Sequence, residues 1–165
     1  MEAKEIIISS EVEELLEPIA VDSPTGRTNT EESNYFNLSM EITNIRFSVE
    51  RCIEWATTVL KNSSKDLNVI LWLGFVWYRK EGLQGLYDGF VLLGTALQKY
   101  GSQLNPLENE ARKKAFNFWN QKQLAELIRR DKIDKECSPL YLQMEQAFAV
   151  VAAEIQNLLP EVNRI

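Results

Sequence analysis

Residues 69–78 read VILWLGFVWY, an unbroken apolar and aromatic run. As a helix, ten residues reach about 15 Å, half of the roughly 30 Å hydrocarbon core of a bilayer. The run is too short to span a membrane. A helix that is apolar all round must instead lie among other helices, so this segment alone demands a bundle with the run at its centre.

The flanking sequence supplies the partners. Ser10 followed by Glu13 has the spacing of a capping box and predicts a short first helix from Ser9 or Ser10 to about Glu17, stopped by Pro18. Residues 18–30, PIAVDSPTGRTNT, read as a loop punctuated by Pro18, Pro24 and Gly26. A long amphipathic pattern then runs over about residues 31–61. Leu38, Ile42, Ile45, Val49, Ala56 and Val59 recur along one face, and the weak propensity of Asn34, Asn37 and Ser39 marks the N-terminal third as the place for any break.

Ser63 with Asp66 predicts a helix start near residue 63, running through the apolar segment to about Lys80. After Glu81 and Gly82 a fourth helix is expected over 83–100, with Gly85 and Gly89 on one face admitting a close neighbour. A loop over 101–106, a fifth helix over about 107–130, a charged linker over 131–138 and a last helix from Ser138 to about Leu159 complete the pattern. The fold class expected is all-α, a compact bundle of about six helices around a central apolar one. Three parts are delimited: an acidic segment and short helix at 1–17, a helical core at 18–133, and a C-terminal helix at 134–165.

Composition narrows the function. The 165 residues contain no histidine, which removes Ser-His-Asp and Cys-His nucleophilic systems and histidine-ligated zinc. Cys52 and Cys137 have no metal or redox spacing and read as reduced thiols. Acid pairs such as Glu11 with Glu14 and Asp131 with Asp134 fall in polar stretches, without the apolar surroundings that shift a carboxylate's pKa. Gly82-x-x-Gly85 lacks the preceding strand and the lysine of a phosphate loop. No catalytic residue, metal or cofactor is therefore assigned.

Net charge is −6 and unevenly spread: residues 1–41 hold ten acids against Lys4 and Arg27, while the rest hold 14 acids and 16 bases. An acidic head disfavours nucleic-acid backbones and suits a basic protein partner. The N-terminus has neither a basic n-region nor a long apolar core, which argues against a secretory signal.

Three blocks carry a family resemblance. The first is Pro18-Ile19, then Asp22-Ser23-Pro24 and Gly26. The second is Trp55 and Leu60, then Ser64-Lys65-Asp66-Leu67 and Trp72-Leu73. The third is Gly82-Leu83-Gln84-Gly85-Leu86, then Gly89-Phe90, Leu92-Leu93, Tyr100, Leu104, Pro106 and Arg112. In this order the chain resembles, over roughly residues 15–130, the ImpA-like N-terminal domain of TssA-type proteins of bacterial type VI secretion. Gly101 and Asn120 stand where that family has tryptophan and leucine.

The resemblance implies a non-enzymatic, cytoplasmic helical module that docks with the secretion apparatus. It implies a part in assembling the contractile tail through contacts with baseplate, sheath and tube proteins. It also implies oligomerisation mainly through a C-terminal region outside this chain. The alternative is a helical adaptor or regulator of another assembly.

Asp66 is expected to cap its helix and Lys65 to be solvated or paired across the bundle. Trp55 and Trp72 read as core. Trp77 and Tyr78, at a helix end, read as exposed and as candidate partner contacts.

Overall fold

The computed structural model describes residues 8–27, 32–122, 124, 126 and 138–158. The expectations for Cys137, the Asp131–Asp134 pair and all but the last residue of the linker over 131–138 concern residues outside that set. The described residues form an all-α bundle: α1 (Ser10–Leu15), α2 (Ser33–Glu41), α3 (Val49–Asn62), α4 (Leu67–Glu81), α5 (Leu83–Tyr100), a 3-10 turn (Gly101–Gln103), α6 (Asn109–Phe116), α7 (Phe118–Gln121) and α8 (Ser138–Leu158).

α4 carries the apolar run and lies at the centre, packed by α3, α5, α6 and α7. Leu67, Val69, Ile70, Leu71, Leu73, Phe75 and Val76 are all buried. Asp66 starts the helix, its carboxylate accepting from the Val69 amide at 3.2 Å. The start thus lies at Leu67, beyond the Ser63 start expected from the capping pattern, because Ser64 and Lys65 are engaged elsewhere.

A single residue, Gly82, joins α4 to α5. Its φ of +65° turns the chain back, while its amide donates to the Tyr78 carbonyl at 2.8 Å. The two helices then meet backbone to backbone. A Cβ placed on Gly89 would lie 2.8 Å from the Cα of Gly74, and one on Gly85 would run into the Trp77 carbonyl.

This close approach corrects the expectation for Trp77 and Tyr78. Both are 5% exposed, because α5 returns directly over the end of α4 and covers them. A helix end in sequence is here not an end of the molecule.

The long pattern over 31–61 is two helices. They part at residues 42–48, later than the weak Asn34–Ser39 positions suggested. The Glu41 carboxylate accepts from the Ser48 amide at 2.8 Å, and the Ser48 hydroxyl caps α3 by accepting from the Arg51 amide at 3.3 Å. Ile45, assigned to the inward stripe, falls in the turn and is 91% exposed.

The fifth helix is likewise interrupted at Asn117. This break lets Trp119 swing its indole N–H to the Leu71 carbonyl at 2.8 Å. The first helix is capped by Ser9, whose hydroxyl accepts from the Val12 amide, one residue earlier than the Ser10–Glu13 box. α8 lies along α5, where Gly94 admits Val150 and Val151.

Candidate functional site

The three motif blocks converge on one polar knot at one end of α4. The loop over 23–27, the link over 63–66 and the loop over 104–106 run side by side. Gly26 bridges Ser64 antiparallel and Asp66 bridges Asn105 in parallel. The Lys65 amide donates to the Thr25 carbonyl at 2.8 Å, the Asn105 amide to the Lys65 carbonyl at 3.1 Å, and the Leu67 amide to the Asn105 carbonyl at 2.7 Å.

Gly26 is required twice over. Its φ is +73°, and a side chain there would collide with the Ser63 carbonyl. Asn105, which precedes a cis peptide bond to Pro106, completes the knot. Its side-chain amide donates to the Ser64 hydroxyl at 2.8 Å and to the Thr25 carbonyl at 3.3 Å. Sequence reasoning passed over Asn105. Its position between Leu104 and Pro106 in a motif loop was the available signal.

Lys65 departs furthest from expectation. It is not solvated, and it has no ion pair among the described residues: it is 1% exposed, and its ammonium donates to the carbonyls of Leu15 at 2.7 Å and Leu60. Leu15 ends α1 and Leu60 lies in the last turn of α3. One cation therefore caps two helix C-termini, where unpaired carbonyls concentrate negative charge. Burial pulls its pKa down to about 8, the nearby Lys99 charge acts in the same sense, and Glu17 opposes them.

Neighbouring groups hold the same end of α1. Tyr100 donates to the Leu16 carbonyl at 2.6 Å and Lys99 to the same oxygen at 3.1 Å.

Arg112 repeats the device on the other loop. The residue is 5% exposed, and its guanidinium donates to the carbonyls of Pro106 at 2.8 Å, Leu104 at 3.2 Å and Ser102. Burial lowers its pKa. The remaining motif residues frame this knot. Pro18 follows the end of α1 and is exposed, as is Asp22, whereas Pro24 is half-buried and its carbonyl accepts from the Ile19 amide at 2.8 Å. Leu67 and Leu86 are buried in the core. Trp55 and Trp72 are half-buried against it, and Trp72 packs between Tyr35 and Phe118 with centroids 5.4 and 6.4 Å away.

What the arrangement can do chemically follows from these bonds. The cationic side chains and Asn105 are directed at backbone oxygens and one hydroxyl inside the fold. Among the described residues, no group of three His, Cys, Asp or Glu side chains is placed to hold a metal ion.

The ImpA N-terminal family of the type VI secretion system matches residues 16–121, which include every motif residue named above. The chain belongs to this family. It is thereby a component of type VI secretion, which decides against an adaptor from another assembly. An ImpA_N-containing solved structure has the same fold: the N-terminal domain of the TssA component from Burkholderia cenocepacia. It superposes with a TM-score of 0.75 at 14% identity, covering 95% of this chain and 86% of that one. No curated protein matches the sequence. Among the described residues, no helix of this ImpA N-terminal family member is long and apolar enough to cross a membrane.

Proposed function

We propose that the chain is a non-enzymatic, cytoplasmic docking module of the TssA type. In this reading it assists assembly of the contractile tail by touching baseplate, sheath or tube proteins. The observation that supports it is the direction of the motif's polar atoms. Lys65, Asp66, Asn105 and Arg112 all point into the fold and hold helix ends and loops. Groups committed to backbone partners are poor candidates for binding and turning over a substrate. They suit a rigid scaffold that presents its outer surface.

A single such surface binds weakly, and several copies held together would multiply the contact through avidity. The test is pairwise binding of the 165-residue chain to purified tube, sheath and baseplate proteins. Saturable binding to at least one is expected. Absence of binding to all three classes, with the chain folded and at high concentration, overturns the reading.

A further inference from the structure

A cleft of about 300 Å³ lies where the C-terminal turns of α5 and α8 meet the 3-10 turn and α6. Leu97 and Leu158 contribute its apolar lining, and Ser102, Arg112, Glu154 and Asn157 its polar lining.

Arg112 spends Nε and Nη2 on the carbonyls of Pro106, Leu104 and Ser102, and its Nη1 makes no hydrogen bond among the described residues. Those acceptors are neutral, so this buried guanidinium has no counter-ion among the described residues. An anion brought into the cleft would gain charge-assisted bonds that neutral oxygens do not supply. The Ser102 hydroxyl and the Asn157 side-chain amide line the same space and add two neutral donors.

Glu154 limits what that anion can be. It is half-buried, lines the cleft with Arg112 and forms no ion pair with it. A bare inorganic anion would meet its repulsion, whereas a ligand with a cation beside its anion would satisfy both charges. The complementary ligand therefore carries a carboxylate, a cation and an apolar group. The end of a protein chain supplies all three when its last residue is apolar and the one before it basic. Small-molecule sites enclose most of their ligand. Here Ser102 and Asn157 are exposed among the described residues, which leaves a way out for the rest of a chain.

We propose that this cleft captures the C-terminus of a partner protein, an apolar last residue preceded by a basic one. The carboxylate meets Arg112, Ser102 and Asn157. The basic side chain meets Glu154, and the last side chain lies against Leu97 and Leu158. The inference rests on the docking reading above and gives that reading one chemically defined contact.

The test titrates the 165-residue chain with the peptide acetyl-Gly-Ser-Gly-Ala-Lys-Leu, its C-terminal carboxylate free, and follows the amide resonances. Saturable shifts centred on Ser102, Asn157 and Leu158 are expected, with a dissociation constant at or below about 1 mM. The C-amidated peptide should bind at least about tenfold more weakly, having lost a charged hydrogen-bonding group. Arg112 stays in place because it holds the 104–106 loop. Glu154→Gln should weaken the Lys-Leu peptide and leave one ending in Ala-Leu unaffected. The inference is overturned by no saturation at about 5 mM, by shifts centred elsewhere, by equal binding of acid and amide, by an unchanged affinity in Glu154→Gln, or by free L-leucine binding as tightly as the peptide. Binding to intact tail proteins would survive any of these results, so failure of the cleft is distinguished from failure of the docking reading.

Discussion

Lys65 shows how much one side chain can hold. Its ammonium serves the last carbonyls of two helices, so Lys65→Met leaves the Leu15 and Leu60 oxygens without that donor. A buried polar group stripped of its partner costs about 1–3 kcal/mol, and removing a buried charge offsets part of this. A net loss of roughly 2 kcal/mol is expected in urea unfolding.

The same residue gives a pH signature. Its pKa is about 8 in the fold against 10.5 for an ordinary lysine. Between those values the unfolded chain holds the proton that the folded chain has shed, so stability rises with pH through this window. From pH 8 to 9 the parent should gain about 1 kcal/mol relative to Lys65→Met. Cys52 acts in the opposite sense. Burial pushes its thiol up from 9.0 to about 11, so its contribution is lost above pH 9 as the unfolded thiol ionises first. Comparing parent with variant cancels Cys52. A flat difference across pH 8–9 would refute the assignment to Lys65. None of this was legible in the sequence, where a lysine beside a capping aspartate reads as surface.

At the level of elements, legibility followed the strength of the local signal. α5 begins and ends where expected, at Leu83 and Tyr100, because glycines flank a continuous apolar stripe. The division of α2 from α3 was placed too early, at the weak Asn34–Ser39 positions, because the apolar repeat continues across residues 42–48. The Glu41–Ser48 bond, which spans seven residues of sequence, marks the turn. The burial of Trp77 depends on how closely α5 returns, a tertiary matter no window of residues carries.

The glycines at that crossing make a direct test. Gly89→Ala should destabilise by about 1–3 kcal/mol despite alanine's better helix propensity, since the added methyl meets backbone. Gly85→Ala should cost more, because it faces the Trp77 carbonyl. Thermal melts of the two variants would show the order, and a stabilised Gly89→Ala would refute the close contact.

Across the whole molecule, the family match ends at residue 121, yet the bundle continues. α8 lies along α5 and buries Ala147 and Val151 in the common core. A chain cut after residue 122 should therefore lose several kcal/mol, at roughly 1.5–3 kcal/mol per large apolar side chain uncovered. Dye binding to exposed apolar surface and loss of near-ultraviolet dichroism would report it. Unchanged cooperativity would mean that α8 is dispensable. The overall architecture was legible, since the apolar run over 69–78 requires a surrounding bundle. The knot of Gly26, Ser64 and Asn105 was not, because it joins segments about 40 residues apart whose motifs look unrelated until they touch.

The one-residue joint at Gly82 has a mechanical corollary. Two helices of 15 and 18 residues, joined by a single glycine, touch through bare backbone at Gly74 and Gly89, with no side chain between them at that point. Close-packed interiors transmit strain. Any shift of one helix at that crossing must therefore move the other, because backbone meets backbone with no side chain to repack.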